Sequence, residues 1–314
     1  MKNKIPIFLT LFFLLPLTFF GQFRNIYLDT DSTNEVRNIS FITPAEGYVA
    51  FETFIGYTQD SGHTFTRKYI TIGNVDYNGY NANLTFGFDI KGIHVFNKNS
   101  FLVYGDYGFV PSILLTNDQG NTFKLIFNST IKLSTANNGI ENMVFPENNS
   151  VGFAVETNRI LKTVNNGSTW ASVLSDAGNS FYNIDFITNS TGYAISSKGL
   201  FKTTNGGSSW NFITTPQGDL KSLSFISEDK GWIVINYYNN SIYYTSNGGN
   251  TWTIKNDKDF YPVGSPVKFL NDSVGYSVGG LYNIFKTSDS GRIWEPLPRN
   301  NNYSYLFYGH NTLY

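Results

Sequence analysis

The chain has 314 residues with 22 basic and 23 acidic side chains, which give a formal net charge of −1, and it contains no cysteine. A near-neutral charge spread without basic runs excludes a nucleic-acid surface held by phosphate contacts, and the lack of cysteine excludes a disulfide framework and a lipid-bearing N-terminal cysteine. Charged residues make up 14% and aromatic residues 17%, a composition typical of short strands and many turns rather than helices or disorder.

The first 22 residues are typical of a secretory signal peptide. Two lysines precede an apolar run from Ile5 to Phe20, and this run is short for a membrane span. Phe19 lies where a cleavage site usually has a small residue, so an uncleaved N-terminal anchor is the alternative. We therefore expect export to the periplasm or the exterior, no membrane span after signal removal, and one domain over residues 23–314.

One short motif recurs six times along the rest of the chain. It reads Thr, any residue, Asp or Asn, any residue, Gly, two residues, and then Trp or Phe, and it begins at Thr58, Thr116, Thr163, Thr203, Thr245 and Thr287. An Asx side chain accepts hydrogen bonds from turn N–H groups and glycine adopts the positive φ that a Cβ resists, so each copy predicts a tight hairpin turn. The structural residues of these turns are Asp60, Gly62, Asp118, Gly120, Asn165, Gly167, Asn205, Gly207, Asn247, Gly249, Asp289 and Gly291.

Two further landmarks precede each turn in a constant order. A strand ending on phenylalanine lies 21 to 24 residues before each turn glycine, at Phe41, Phe96, Phe145, Phe186, Phe225 and Phe269. A small residue followed by an aromatic residue then opens a second strand, as in Gly192-Tyr193 and Gly231-Trp232. Successive turn glycines lie 40 to 58 residues apart, which suits the four short strands of one propeller blade.

The repeated turn resembles the Asp-box, the repeat of bacterial neuraminidases. Its spacing, with the phenylalanine and glycine-aromatic strands ahead of Lys202–Trp210 and its equivalents, is most similar to the photosystem II stability and assembly factor family and its secreted bacterial relatives. This resemblance covers nearly all of the mature chain and implies a β-propeller. Because the box is a structural turn in all these families, it is specific for the fold and carries little information on activity.

We expect an all-β propeller with seven blades. Six blades follow the landmarks, and the tail Tyr303–Tyr314 then repeats the first-strand phenylalanine at Phe307 before the chain stops. Because Phe23–Thr30 resembles a fourth strand, the partial last blade would be completed by both chain ends, as propellers commonly close. This blade would lack its own box hairpin, and a six-bladed ring with spare termini is the alternative.

The loops opposite the boxes predict a binding face. The largest departures from the repeat lie there and carry Tyr77, Tyr80, Tyr107, Tyr237 and Tyr238. The first strands open on the same side, four residues before each landmark phenylalanine, at Arg37, Gly92, Glu141, Tyr182, Lys221, Ser265 and Tyr303. Since aromatic rings stack on either ligand, we expect this mouth to hold a glycan or an extended peptide. The alternative is that these tyrosines only cover the blade ends.

The resemblance to sialidases implies three arginines on separate inner strands, which this chain cannot supply. Of its six arginines, only Arg37 lies at the start of a first strand. Glu141 and Asp185 are the one carboxylate pair considered for another glycosidase, and no metal-ligand spacing appears. We therefore expect a monomeric, non-catalytic binding, scaffold or assembly module without cofactor or metal, whose partner is an unknown protein or glycan. A divergent, sialidase-like glycoside hydrolase is the alternative.

The photosystem factor family implies a client protein that is contacted through an arginine-rich patch. This arginine-poor chain departs from that pattern. The resemblance therefore implies an assembly or binding role without implying the same client.

Overall fold

A computed structural model describes residues 7–12, 23–28, 36–43, 45–80, 87–130, 139–147, 149–236, 240–255, 267–279, 283–297, 308–309 and 312–313. Within these ranges the one helical element is a 3-10 turn over Ile72–Asn74, and strands and turns form the rest. No described helix has the length and apolar character needed to cross a bilayer. Residues 1–172 with 307–314 form one compact unit, and residues 173–306 form a second.

The first unit contains an N-terminal strand pair and three blades. Strand β1 (Ile7–Phe12), which lies within the expected signal peptide, pairs antiparallel with β2 (Phe23–Leu28). The first blade consists of β3 (Val36–Phe41), β4 (Gly47–Phe51), β5 (Phe54–Thr58) and β6 (Thr66–Tyr69). The second consists of β8 (Phe88–Val95), β9 (Phe101–Tyr107), β10 (Pro111–Thr116) and β11 (Phe123–Asn128), with β7 (Val75–Asp76) added parallel to β11. The third consists of β12 (Ile140–Val144), β13 (Gly152–Glu156), β14 (Arg159–Thr163) and β15 (Ala171–Ser175), whose last residues fall in the second unit.

The second unit contains three blades of the same order. They consist of β16 (Phe181–Phe186), β17 (Gly192–Ser196), β18 (Gly199–Thr203) and β19 (Asn211–Ile213); β20 (Asp219–Phe225), β21 (Gly231–Asn236), β22 (Asn240–Thr245) and β23 (Thr253–Ile254); and β24 (Val267–Phe269), β25 (Gly275–Gly279), β26 (Asn283–Thr287) and β27 (Glu295–Pro296). The short strands β28 (Tyr308–Gly309) and β29 (Thr312–Leu313) belong to the first unit and pair with each other.

The described strands form six propeller blades, so the expectation of seven is wrong and the six-bladed alternative is correct. In each blade four strands pair antiparallel in sequence order. Strand β2, expected as the outer strand of the seventh blade, pairs instead with β1 over six residues, and the described residues of the C-terminal tail form the two-residue strands β28 and β29. The physical reason is that the tail has no box hairpin to fold two more strands back onto its sheet, whereas β1 offers β2 a full register.

One hydrogen-bond network repeats in all six box turns. In the fourth blade, Thr203 Oγ1 accepts a bond from Gly207 N–H at 2.9 Å and donates to Asn205 Oδ1 at 3.0 Å, and Asn205 Oδ1 also accepts from Ser209 N–H at 2.9 Å. The other five threonines accept from their turn glycines at 2.8 to 3.1 Å. Gly207 has a φ of 77°, which glycine adopts without strain. The buried threonine therefore satisfies an N–H group that water cannot reach.

The three sequence landmarks of a blade meet in one contact. In the fourth blade, the Phe186 ring lies edge-on to box residue Trp210, with centroids 5.9 Å apart and planes at 88°. A Cβ on Gly192 would lie 2.6 Å from the Phe186 ring, so the second strand must begin with a residue that has no side chain. The same close approach recurs between glycine and landmark phenylalanine at Gly47, Gly152, Gly231 and Gly275.

Stacked rings join neighbouring blades within the second unit. Tyr193 stacks on Phe225 with centroids 3.7 Å apart, and Trp232 stacks on Phe269 at 3.8 Å. In these two blades the aromatic residue after the small residue thus packs on the landmark phenylalanine of the next blade. All four rings are buried, so each repeat completes the core of its neighbour.

Replacing Thr203 by valine should lower the free energy of unfolding by about 1–3 kcal/mol, because the buried Gly207 N–H would lose its acceptor. Urea unfolding followed by tryptophan fluorescence measures the change. Thr204→Val alters the adjacent, exposed threonine and should change stability by less than about 0.5 kcal/mol. Equal losses in the two variants would contradict this role of the Thr203 hydroxyl.

Replacing Gly192 by alanine should lower the free energy of unfolding by about 1–3 kcal/mol, since the new methyl group would overlap the Phe186 ring. Gly73→Ala is the matched control, because no atom lies within 4 Å of its added Cβ. Thermal unfolding followed by circular dichroism compares them. If Gly192→Ala were as stable as Gly73→Ala, the steric requirement at the start of β17 would be refuted.

Candidate functional site

A β-bulge recurs in the first strand of five blades. The register with the second strand shifts between Val36 and Asn38, Ile90 and Gly92, Ile140 and Asn142, Phe181 and Asn183, and Leu220 and Ser222. The extra residues are Arg37, Lys91, Glu141, Tyr182 and Lys221. In a β-bulge, two residues of one strand lie opposite a single residue of the partner strand, and this changes the direction of a side chain. The same backbone geometry therefore presents a different side chain in each of these blades.

Four of the five bulge residues were predicted from the sequence as site candidates, and Lys91 was missed. Counting four residues back from a landmark phenylalanine gives the bulge position in the other blades but gives Gly92 in the second blade. The reason is that β8 has one more residue between its bulge and Phe96. Ser265 and Tyr303 lie outside the described residues.

Three carboxyl groups and one lysine gather between the second and third blades. Asp106 lies directly opposite Asp89 in the β8–β9 ladder and faces its carboxyl group. Glu141, at the bulge of β12, interacts electrostatically with both aspartates and with Lys91. Lys91 Nζ lies 2.8 Å from Asp89 Oδ2. We call Asp89, Asp106, Glu141 and Lys91 the Asp106 cluster.

The Asp106 cluster contains carboxylate oxygens that lack donors. Asp106 is only 4% exposed, and its Oδ1 accepts from Phe109 N–H at 3.2 Å. Within this cluster, the buried oxygens Asp106 Oδ2, Asp89 Oδ1 and Glu141 Oε1 have no donor among the described residues while all three carboxyl groups are ionised. A proton on Asp106 lets its carboxyl group donate a hydrogen bond to Asp89, which leaves Glu141 Oε1 as the acceptor without a donor.

Burial raises the pKa values of two of these carboxyl groups. The pKa of Asp106 rises to about 6, first because burial disfavours its charged form and second because the Asp89 charge lies beside it. Burial likewise raises the pKa of Glu141, and the Lys91 ammonium partly offsets this effect. The Asp106 carboxyl group therefore keeps its proton to a higher pH than an exposed carboxylate does.

A close backbone contact covers Asp106. A Cβ on Gly139 would lie 2.9 Å from the Gly105 carbonyl group and 3.3 Å from Asp106 Cβ. A Cβ on Gly105 would lie 1.9 Å from the carbonyl oxygen of Asp89. Gly139 therefore allows the backbone of the third blade to lie against the second blade beside Asp106, and Gly105 allows β8 and β9 to approach each other within the second blade.

The candidate tyrosines of the first unit divide between packed and exposed positions. Tyr77 OH lies 2.9 Å from Tyr107 OH, with the ring planes at 85°, and Tyr107 is buried. This contact forms because β7 carries the loop along the outer edge of the second blade. Tyr80 remains 38% exposed. The structure therefore agrees with a packing role for Tyr77 and Tyr107. Tyr237 and Tyr238 lie outside the described residues.

The remaining candidates are tied to their own blade or its neighbour in the same unit. Tyr182 OH lies 3.0 Å from the Ser196 carbonyl oxygen and 3.1 Å from that of Leu220, while its ring is 37% exposed. Ion pairs hold three others, namely Lys221 with Asp219 at 3.7 Å, Arg37 with Glu52 at 3.7 Å, and Asp185 with Lys268 at 3.5 Å. Within the described residues, no group of three His, Asp or Glu side chains has the geometry of a metal site.

A sequence model of one protein family matches residues 18–308, and its description is photosynthesis system II assembly factor YCF48. The match confirms the resemblance drawn from the box turns. Among curated protein sequences, no match to the chain was found.

Several solved structures have a similar fold at low sequence identity. A structure of YCF48 bound to a D1 peptide has a TM-score of 0.62 and 16% identity, covering 85% of this chain and 83% of that one. YCF48 from Cyanidioschyzon merolae has a TM-score of 0.62 and 14% identity, covering 89% and 90%. The GH74 enzyme of Niastella koreensis has a TM-score of 0.61 and 16% identity over 82% of this chain, which spans 46% of the enzyme's length. At these identities the likeness shows the fold.

The stability of the protein should depend on pH through Asp106. Because the folded-state pKa is about 6 and the ordinary value is 3.8, this carboxyl stabilises the fold when protonated and loses that contribution as pH rises through about 6. Asp106→Asn mimics the protonated form, so its advantage over the wild type should grow by about 1–2 kcal/mol between pH 4.5 and pH 7.5. Urea unfolding at both pH values measures it.

The control for this measurement is Asp219→Asn in the fifth blade. Asp219 also precedes a bulge lysine by two residues, but its side chain is 79% exposed. Its replacement should leave the pH dependence of stability unchanged. The same pH response in both variants would show that burial of Asp106 has no such effect.

Proposed function

The chain belongs to the photosynthesis system II assembly factor YCF48 family, and from that premise we propose that it is a non-catalytic module that binds an extended peptide segment of a client protein. One observation carries this proposal, namely the recurring bulge that presents charged and aromatic side chains at the same strand position in five blades. Within the second unit alone, the neighbouring bulges offer Tyr182 and Lys221, a ring and a cation, which suits a ligand whose successive side chains differ. The D1 peptide bound to YCF48 is a ligand of this class.

Peptide is favoured over glycan because few aromatic rings are free to stack on a sugar. Tyr77 and Tyr107 pack on each other, and of the candidate tyrosines described by the structure, Tyr80 and Tyr182 alone have more than a third of their surface exposed. Charged bulge residues, by contrast, match peptide side chains and termini. We propose a client other than D1, since the chain is poor in arginine, and a location outside the cytoplasm, since its first residues are typical of a signal peptide.

The enzymatic alternative has one observation in its favour. Asp106 and Glu141 have raised pKa values, and a carboxyl group kept protonated is what a general acid requires. Several structures of similar fold are GH74 enzymes, and one is a xyloglucanase. Asp106 is covered by backbone, however, which leaves it no room beside a sugar ring. Xyloglucan hydrolysis that Glu141→Gln abolishes would contradict the non-catalytic proposal.

Binding of residues 23–314 to arrays of ten-residue peptides and of glycans tests the proposal. We expect peptides to be bound and glycans not. Replacing Tyr182 and Lys221 together by alanine should weaken peptide binding about thirtyfold, because two interface contacts of about 1 kcal/mol each would be lost. Fluorescence anisotropy with the strongest array peptide gives the dissociation constants.

Phe212→Ala is the matched control, since Phe212 is exposed but lies on the outer strand β19. Its replacement should leave the affinity unchanged. Failure of every peptide to bind, or equal weakening in both variants, would overturn the proposal.

A further inference from the structure

We propose that Asn78 is a site of spontaneous deamidation, at which the side-chain amide is hydrolysed to a carboxylate, and that the box turns protect their own asparagines from the same reaction. The site lies in the turn over residues 77–80, which follows β7 at the outer edge of the second blade. This inference goes beyond the proposed function and does not depend on peptide binding.

Deamidation begins at an asparagine whose side chain the following backbone nitrogen can reach. That nitrogen attacks Cγ of the asparagine and forms a five-membered cyclic imide, while the side-chain amide leaves as ammonia and takes up the backbone N–H proton. Water then opens the imide at one of its two carbonyl carbons, which gives aspartate or isoaspartate. A glycine after the asparagine favours the attack, because it has no Cβ to obstruct the approach. Water is the one co-reactant, and nothing is oxidised or reduced.

Asparagine directly precedes glycine at five places in the chain, namely Asn78, Asn138, Asn166, Asn205 and Asn247. Asn138 lies outside the described residues. The last three belong to box turns, whereas Asn78 belongs to the loop between the first and second blades. Because the dipeptide is the same at all of these places, a difference in rate between the four described asparagines must come from the structure around them.

The attacking nitrogen is hydrogen-bonded in the box turns and not in the loop. In the three box turns the glycine N–H donates a bond of 2.8 to 3.1 Å. The pairs are Gly167 with Thr163 Oγ1, Gly206 with the Ser190 carbonyl oxygen, and Gly248 with the Asp229 carbonyl oxygen. Gly79 N–H has no acceptor among the described residues. A nitrogen held in such a bond cannot turn toward Cγ until the bond breaks, so the box turns slow the first step.

Two of the box asparagines also have their side chains fixed. Asn205 Oδ1 accepts bonds from the Thr203 hydroxyl group and from Ser209 N–H, and Asn205 Nδ2 donates to Ser209 Oγ at 2.8 Å. Asn247 makes the same three bonds in its own turn. The Asn78 side chain is exposed and has no partner in the described part of the chain. Its Cγ is therefore free to move toward the next nitrogen.

The turn around Asn78 opens readily. Asn78 and Gly79 have φ values of 52° and 79°, as in a two-residue type I′ turn. Two hydrogen bonds hold it, from Tyr80 N–H to the Tyr77 carbonyl oxygen at 2.8 Å and from Asn78 N–H to Asp76 Oδ1 at 2.9 Å. A Cβ added to Gly79 would meet no atom within 4 Å, so the turn faces open space. A segment with so few contacts opens locally without unfolding the blade.

Deamidation would change the outer edge of the second blade. A carboxylate at position 78 adds a negative charge two residues from Asp76. Isoaspartate also lengthens the backbone by one carbon, which the turn cannot accommodate. Tyr77 OH, on one side of the turn, lies 2.9 Å from Tyr107 OH, and Tyr80 OH, on the other side, lies 3.5 Å from the Ile126 carbonyl oxygen. Isoaspartate therefore loosens these contacts, whereas aspartate keeps the backbone that supports them.

Incubation of the full chain at pH 8, followed by digestion at acidic pH and peptide mass spectrometry, measures each rate. Asn78 should lose its amide at least about tenfold faster than Asn166, Asn205 and Asn247, because each of these must first break a hydrogen bond. In urea the four rates should converge. A native rate at Asn78 equal to those in the box turns would overturn the proposal. A faster rate at Asn78 that persists in urea would also overturn it, since the sequence and not the fold would then explain the difference.

Two matched variants test the protection directly. Thr163→Val removes the acceptor of the glycine N–H that follows Asn166, so Asn166 should lose its amide about fivefold faster. Thr203→Val removes the equivalent hydroxyl group, but the glycine N–H that follows Asn205 keeps its backbone acceptor, so Asn205 should remain slow. Equal acceleration in both variants would refute protection by this bond. If either variant does not fold, the comparison of wild-type rates with and without urea decides.

Hydrogen exchange over residues 75–80 tests the structural consequence. Protein aged at pH 8 and isolated by its added negative charge should exchange these amides faster than fresh protein does. Asn78→Asp is the matched control, because it has the same charge and an ordinary backbone, and it should exchange as slowly as the wild type. Equally fast exchange in the aged protein and in Asn78→Asp would contradict a role of isoaspartate in loosening this edge.

Discussion

The hydroxyl group of one buried threonine determines the shape of every blade. It accepts a bond from the turn glycine and donates to the Asx side chain, so the end of the third strand, the turn and the start of the fourth strand are held in one geometry. This geometry sets the box aromatic edge-on to the landmark phenylalanine, as with Trp210 and Phe186. In five blades the ring then requires a glycine where the second strand begins, and the second blade has Ser100 at this position. These contacts fix the positions of all four strands. None of them involves a residue at the opposite end of the blade, where the bulges lie.

The residues at the opposite end of the blade, where the bulges lie, are therefore free to vary in type. The five bulges share a backbone form but carry Arg37, Lys91, Glu141, Tyr182 and Lys221, side chains that differ in charge and size. A bulge tolerates such variety because the extra residue is not needed for the ladder. The fold can therefore present different binding chemistries without a change in its core, which is why family membership shows the architecture and leaves the ligand to be established from the site.

Features that depend on neighbouring residues could be predicted from the sequence. Features that depend on pairing between strands distant in sequence could not. The box turns and the landmark phenylalanines lie within short stretches whose residue types dictate their conformation. Asp106 escaped notice because it meets Asp89 only through the β8–β9 register, and Tyr77 reaches Tyr107 only because β7 joins the outer edge of the second blade. The number of blades was wrong for the same reason, since nothing local to Phe23–Leu28 shows that it pairs with Ile7–Phe12.

The weak overall charge of the chain makes short-range contacts decisive for recognition. With a net charge of −1 the protein exerts little long-range attraction on either kind of ion, and salt would screen what remains. Discrimination must then come from side chains that are already held in place. Tyr182 is such a residue, because its hydroxyl group bonds the backbone carbonyl oxygens of Ser196 and Leu220. An exposed ion pair such as Asp219 and Lys221 discriminates less, because water competes for the same bonds.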